Sequence, residues 1–243
     1  MRILCTADGS YTLYSEAYQQ SFHSHRGARA EAEHVFLRGS GVASRLIEGH
    51  PTEVLEVGFG TGLNFLLTAE LARRLGTPLY YVALEQELLP AATLEALRYR
   101  ELLKDSFLLT NLLSFRRELP ARPAPGRYRC AYSDRLICEL RIGDATLGSL
   151  EQDAFHAVYQ DAFSPEANPE LWSEPFLGAL YGSLRPAGRL ASYCVKGTVR
   201  RRLARHGFAV TKRPGPPGGK REVLVATKAS PSASMQGGST PRE

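Results

Sequence analysis

The sequence is poor in the residues that build metal knuckles and disulfide frameworks. It has only four cysteines in 243 residues, at positions 5, 130, 138 and 194. No two of them form a C-x-x-C pair, so neither a zinc site nor a stapled fold is indicated and no metal is expected. Buried free thiols are the simpler reading. No apolar run approaches the roughly 20 residues that a membrane helix requires. The opening residues, MRILCTADGS, lack a basic stretch followed by a long apolar one. No secretory signal is therefore read, and a cytoplasmic protein without membrane contact is expected. Acidic residues are missing from one long stretch. Between Arg185 and Arg221 there is no Asp or Glu, while Arg200, Arg201, Arg202, Arg205, Lys212, Arg213, Lys220 and Arg221 cluster there. This reads as a one-sided positive region able to neutralise phosphates. The net charge of +5 would not by itself point to nucleic acid.

Hydrophobic residues make up 43% of the chain, enough for a sizeable core and against global disorder. The length suits one α/β domain with a small elaboration. Residues 52–57 (TEVLEV) form a short apolar run ending in a glycine-rich turn. Residues 63–75 have helical spacing and stop before Gly76-Thr77-Pro78. Residues 78–85 read as a buried strand, and 89–103 as a helix with Pro90 in its first turn. This alternation predicts a parallel sheet with helices on both faces. Beyond it, 128–145 reads as two strands around Ser133-Asp134. Residues 155–161 read as a strand, 168–184 as a helix capped by Asn168, 189–195 as a strand and 197–207 as a helix. Segments 208–214 and 221–227 read as closing strands around GPPGG. The expected architecture is Rossmann-like: a mostly parallel seven-stranded sheet, an N-terminal extension over 1–50, a core over 51–227 with a small β-hairpin insertion, and a disordered tail over 228–243.

The glycine loop is the first chemical signal. Glu56-Val57-Gly58-Phe59-Gly60-Thr61-Gly62 follows the first core strand and opens a helix. Glycines let the backbone turn sharply and approach a ligand closely. The spacing is G-x-G-x-G, not the G-x-G-x-x-G of dinucleotide enzymes, and an acid precedes it. Three more acids end predicted strands. Glu85 is placed to accept hydrogen bonds from ribose hydroxyls, Asp144 to accept one from an adenine amino group, and Asp161 begins Asp-Ala-Phe-Ser-Pro after the fourth core strand. All should face one rim.

With Glu56 in place, the loop resembles motif I of class I methyltransferases, which bind S-adenosyl-L-methionine. Longer stretches resemble the MnmC methyltransferase-domain family, including its stand-alone MnmD-like members. Asp161, Phe163, Pro165, Asn168, Pro169 and Trp172 match a D-[AG]-F-x-P-x-x-N-P-x-x-W segment. Glu56, Gly58 through Gly62, Asn64 and Phe65 match E-x-G-F-G-T-G-x-N-F. Tyr14, Ser15, Gly27, Glu31, His34, Val35 and Phe36 fit an N-terminal pattern, and Gly218, Lys220, Arg221, Glu222 and Leu224 a terminal one. The resemblance spans about residues 8–227.

The resemblance implies a class I fold and methyl transfer to the amine of 5-aminomethyl-(2-thio)uridine at position 34 of tRNA, without the flavin-dependent oxidase of bifunctional relatives. It implies a cofactor site of Glu56, Gly58, Phe59, Gly60, Thr61, Gly62, Asn64, Glu85, Gln86, Asp144, Ala145 and Asp161. Asp161 is expected to orient the amine. Tyr14, Glu31, His34, Phe163, Lys196, Arg200, Arg201, Lys220 and Arg221 are expected to contact the tRNA anticodon stem-loop or its modified base. Phe163, Tyr14 or Trp172 would stack on an extruded base, although a core role suits Trp172 better. A monomer is expected. A methyltransferase of small-molecule or protein amines remains the alternative.

Overall fold

The computed structural model describes residues 1–230. The chain opens with three short strands, β1 (Arg2–Cys5), β2 (Tyr11–Ser15) and β3 (Gln20–Ser21), paired as a small antiparallel sheet. Helix α1 (Ala28–Glu31) continues into a wider π-type run over Ala32–Arg38, and α2 (Val42–Ile47) follows. The core then alternates: β4 (Thr52–Val57), α3 (Leu63–Leu75), β5 (Leu79–Glu85), α4 (Ala91–Ala96), α5 (Ser106–Glu118), β6 (Gly126–Ala131), β7 (Leu136–Ile142), β8 (Phe155–Gln160). It closes with α6 (Glu174–Ser183), β9 (Leu184–Ser192), α7 (Gly197–Arg205), β10 (Phe208–Pro214) and β11 (Glu222–Lys228).

Among the described residues the central sheet has eight strands, in the order β10-β11-β9-β8-β4-β5-β7-β6. Strands β9, β8, β4, β5 and β7 run parallel; β11 and β6 run against them, and the edge strand β10 pairs antiparallel with β11. The seven-strand expectation is therefore corrected to eight. The hairpin set apart as an insertion lies within the sheet: β7 pairs with β5 along its whole length, and β6 covers the edge this leaves. Alternation drives this placement. Leu136, Cys138, Leu140 and Ile142 are buried, so β7 has one face that needs the core. Adjacent residues of the central strands go to opposite sides. Val54, Tyr81 and Tyr159 join one apolar cluster, while Leu55, Val82 and Val158 join the other. Near-continuous apolar strands of this kind suit a parallel sheet covered on both faces.

Two predicted helices are broken. The 89–103 segment stops at α4, turns at Arg98 with φ 55° and makes a short 3-10 turn over Tyr99–Glu101. The 168–184 segment begins as a 3-10 turn over Pro169–Trp172 and restarts as α6. Asn168 makes no side-chain cap; Ser173 caps α6 by accepting from the Phe176 N–H. Helix α5 and the N-terminal elements were not read from the sequence. Asp105 caps α5, which buries Leu108, Leu109, Leu112 and Leu113 along one stripe. All four cysteines are free: Cys130, Cys138 and Cys194 are buried and Cys5 is exposed. Strand β11 runs through Lys228, and the rest of the expected tail, from 231, lies outside the described residues.

The N-terminal extension is packed into the body. Leu13, Ala28, Val35, Phe36, Val42 and Leu46 belong to the same apolar cluster as Val54, Leu66 and Tyr159. Among the described residues, no helix is long and apolar enough to cross a membrane.

Candidate active site

From β4 the chain steps through β5 to β7 in one direction, then returns through β8 to β9 in the other. The carboxyl ends of β4 and β8 thus form the switch point, where ligands bind in open α/β sheets. A cavity of about 800 Å³ opens there. The register aligns the strand ends. Val57 pairs with Leu84 and Gln160, and Glu85 with Ile142. Backbone bonds extend the alignment: the Gly58 N–H donates to Leu84 O, the Gly143 N–H to Glu85 O and the Asp161 N–H to Val57 O, at 2.9, 2.9 and 3.0 Å.

The glycine loop crosses this rim in backbone states that favour glycine. Gly58 has φ 87°, and a Cβ there would lie 3.0 Å from the Asp161 carbonyl oxygen. Gly60 has φ 52°, and its Cβ would strike the Phe22 ring at 2.9 Å. The loop is anchored by Glu85, whose Oε2 accepts from the Gly60 N–H at 2.8 Å. Its Oε1 accepts from the Gln86 and Glu87 N–H groups at 2.8 and 3.2 Å. Burial nevertheless pushes the Glu85 carboxyl above its ordinary range. Asp144 is exposed on the rim. One of its oxygens takes both the N–H and the hydroxyl of Thr146, at 2.8 and 2.7 Å, which lowers its pKa.

The centre of the site is a chain of acids joined by one amide. Asn64 Nδ2 donates to Glu56 Oε1 and to Asp161 Oδ2, each at 2.8 Å. Glu56 is 1% exposed, and burial pushes its carboxyl up to about 8. Asp161 lines the cavity, and burial, reinforced by the charges of Glu31 and Glu56, raises it well above the usual carboxylate range. Glu31 reaches the same space from α1, with Oε2 accepting from the Ser24 N–H at 2.7 Å. Its carboxyl is also raised by burial. The site therefore concentrates weakly acidic carboxyls, suited to receiving a cationic or hydrogen-bond-donating group.

Gly58, Phe59, Gly60, Thr61, Asn64, Glu85, Gln86, Asp144, Ala145 and Asp161 all line the cavity, as do Glu31, Phe163 and Lys220. Others stand apart. Glu56 sits behind the wall and meets the cavity only through Asn64, and Gly62 packs against Phe59 and Leu112. Tyr14 donates to Gln19 at 3.0 Å, and His34 lies against Pro214 O at 2.9 Å. Lys196 pairs with Glu166. Arg201 and Arg221 are exposed and Arg200 half-buried, outside the cavity lining. Trp172 is fully buried with its Nε1 donating to Phe163 O at 2.7 Å, which corrects any stacking role for it.

The sequence reading missed an aromatic wall. Tyr18 stacks on Phe163 with ring centroids 4.5 Å apart, and Phe22 meets Phe163 edge-on at 5.0 Å. The β2–β3 hairpin is fastened there by Gln20, whose Nε2 donates to Ser164 Oγ at 2.7 Å and whose Oε1 accepts the Ser164 N–H at 3.1 Å. Tyr193, donating to Ala162 O at 2.8 Å, lines the opposite side. Only the density of aromatics between Tyr11 and Phe22 hinted at this.

Residues 112–229 match a family model described as S-adenosyl-L-methionine-dependent methyltransferase. The crystal structure of MNMC2 from Aquifex aeolicus superposes with a TM-score of 0.76 at 30% identity, covering 97% of this chain and 72% of that one. The tRNA 5-methylaminomethyl-2-thiouridine biosynthesis bifunctional protein MnmC of Delftia acidovorans is 35% identical over 214 residues, 85% of this chain and 32% of that protein. Its counterpart in Paracidovorax citrulli is 38% identical over 226 residues, 88% of this chain and 34% of that protein. The chain spans about a third of the length of these two relatives.

Proposed function

This chain belongs to the MnmC methyltransferase-domain family of S-adenosyl-L-methionine-dependent enzymes, and from that premise we propose that it methylates the amine of 5-aminomethyl-(2-thio)uridine at wobble position 34 of tRNA. The product is 5-methylaminomethyl-(2-thio)uridine. The observation that carries this reading is Asp161: a carboxylate at the end of β8, held by Asn64 at 2.8 Å and opening into the cavity beside the glycine loop. The enzyme is read as cytoplasmic and monomeric.

The donor set fits S-adenosyl-L-methionine. Gly58 and Gly60 bring the loop backbone to the cavity wall, against Asp161 and Phe22, at distances that leave a Cβ little room. Glu85 Oε2 accepts one N–H and keeps a lone pair, which suits a ribose hydroxyl, while Oε1 is taken up by Gln86 and Glu87. Asp144 has one oxygen clear of its Thr146 bonds, which suits an adenine amino group beside Ala145. When bound, this cofactor supplies an electrophilic methyl group.

The rest of the work falls to the chain's own side chains. Asp161 accepts an N–H bond from the substrate amine and so directs its lone pair; most of the rate comes from that positioning. An alkylammonium must first lose a proton, and a carboxyl raised by burial and by Glu31 and Glu56 is a better acceptor for it than an ordinary carboxylate. Asn64 fixes the Asp161 rotamer. Phe163 offers a ring to the extruded base. Arg200, Arg201 and Arg221, with Lys196 nearby, offer positive charge to the anticodon-stem phosphates. The test is methyl transfer from labelled cofactor to tRNA of cells in which the aminomethyl group accumulates. Label recovered as 5-methylaminomethyl-(2-thio)uridine at position 34 is the expected result. Absence of label, with cofactor binding intact by calorimetry, would redirect the assignment to other amines.

A further inference from the structure

Lys220 stands out from the rest of the basic face. Among the described residues it is the one Lys or Arg that lines the cavity. Its neighbours turn elsewhere: Lys212 pairs with Glu222 at 2.9 Å, and Arg213 and Arg221 are exposed. The turn between β10 and β11 is folded to put Lys220 there. The Gly215 N–H donates to Arg221 O at 3.0 Å and the Gly219 N–H to Pro216 O at 2.9 Å. A Cβ at Gly215 would lie 1.7 Å from the Lys220 carbonyl oxygen, so this closure requires glycine. His34 holds the base of the turn through Pro214 O at 2.9 Å. The Lys220 ammonium sits 4.0 Å above the centre of the Tyr193 ring.

Charged groups surround it from several elements. Glu31 of α1 and Asp161 after β8 both feel its charge, which partly offsets the effect of their burial. Glu56 of β4 acts on Asp161 from behind, and Tyr193 and Cys194 follow β9. The Lys196–Glu166 pair stands nearby, where both charges act on Cys194. Asp161 and Glu31, with Lys220 as the one Lys or Arg among the described residues, thus line the cavity where an amine would react, and Glu56 acts on Asp161 from behind.

We propose that Lys220 keeps the substrate amine neutral and nucleophilic by opposing a second positive charge in the cavity. This rests on the function proposed above. On entry the ammonium gives its proton to Asp161, which passes it to solvent. The freed lone pair forms the new N–C bond while the donor's S–C bond breaks with its electrons left on sulfur, and the positive charge passes to the product ammonium. Without Lys220 its like charge would no longer oppose protonation beside Asp161 and Glu31, and the amine would stay an ammonium to higher pH, because a nearby like charge disfavours the charged form. A lysine that only clamped phosphate would affect tRNA affinity and its salt dependence instead.

The experiment is a pH profile of single-turnover methyl transfer to aminomethyl-bearing tRNA at saturating enzyme, for the wild type, Lys220→Met, Lys220→Gln and Lys220→Arg, with melting temperatures measured in parallel. In folded Lys220→Met or Lys220→Gln the rising limb should move to higher pH by on the order of one unit, with the rate regained above it. Lys220→Arg should stay near the wild-type profile. A rising limb unmoved in the folded neutral variants overturns the proposal. A wild type that transfers no methyl to this tRNA would instead sink the functional reading, a separable outcome.

Discussion

At the scale of the residue, the site turns on how one amide is shared. Asn64 Nδ2 donates to Glu56 and Asp161 together, so the two carboxyls are held as a unit. Asp161→Asn keeps the shape and removes the charge. Its single-turnover rate should fall by roughly 10²–10⁴-fold, the usual worth of a positioned acid–base group. Cofactor affinity, measured by calorimetry, should change little; a near-normal rate would refute the role of Asp161. Glu56 gives a stability prediction. Burial raises it from 4.5 to about 8, so the folded protein holds a proton that the unfolded chain releases. The stability linked to Glu56 is complete below 4.5 and is lost as pH rises through about 8. Glu56→Gln cannot ionise, so its urea midpoint should fall less across that window than the wild type's. Identical slopes would show that Glu56 ionises freely in the fold. Most of these residues were legible, because motif spacing and strand-end position announce Gly58, Asn64, Glu85 and Asp161. Tyr18, Phe22 and Tyr193 were not. An aromatic in a hairpin carries no mark of what it faces, and Tyr18 reaches Phe163 only through a contact between Gln20 and Ser164, far apart in sequence.

At the scale of the element, strands were read more accurately than helices. A strand in a parallel sheet is an apolar run bounded by turns, and 52–57, 155–161 and the two arms around Ser133-Asp134 all satisfy that. Helix breaks depend on single backbone choices. Arg98 in the left-handed region and Ser173 in an extended one interrupt segments whose apolar spacing continues past them. Helix α5 went unread although its Leu pairs repeat at helical spacing. Its importance is structural and chemical at once: Leu112 Cδ2 would lie 3.2 Å from a Cβ at Gly62, so the helix backs the glycine loop. Leu112→Ala should cost about 2–5 kcal/mol in urea unfolding, as for other buried leucines cut to alanine. It should also weaken cofactor binding, because the loop loses its support. Destabilisation with unchanged cofactor affinity would separate the helix from the site.

At the scale of the whole molecule, the N-terminal fifty residues are part of the enzyme's body. They share a core with β4, α3 and β8 and supply Tyr18, Phe22 and Glu31 to the cavity wall. The opposite contribution comes from the C-terminal third, where the absence of acids predicted a positive face. The structure divides that face. Arg205 pairs with Glu174, Lys212 with Glu222 and Lys196 with Glu166, and Arg202 donates to Trp172 O at 2.7 Å. Those charges are compensated or spent on the fold. Among the described residues, Arg200, Arg201, Arg213 and Arg221 form no ion pair, so they carry the uncompensated charge available to a polyanion. If they hold tRNA phosphates, each alanine substitution should weaken binding similarly across tRNA sequences and reduce the salt slope by about one. Arg205→Ala, which releases Glu174 as it removes a charge, should weaken binding without a matching loss of slope. Binding isotherms over a range of salt concentrations measure both. Equal slope changes for Arg205 and Arg221 would show that tRNA recruits the whole basic surface and breaks its ion pairs; an unchanged slope in the Arg200, Arg201 and Arg221 variants would place the phosphates elsewhere.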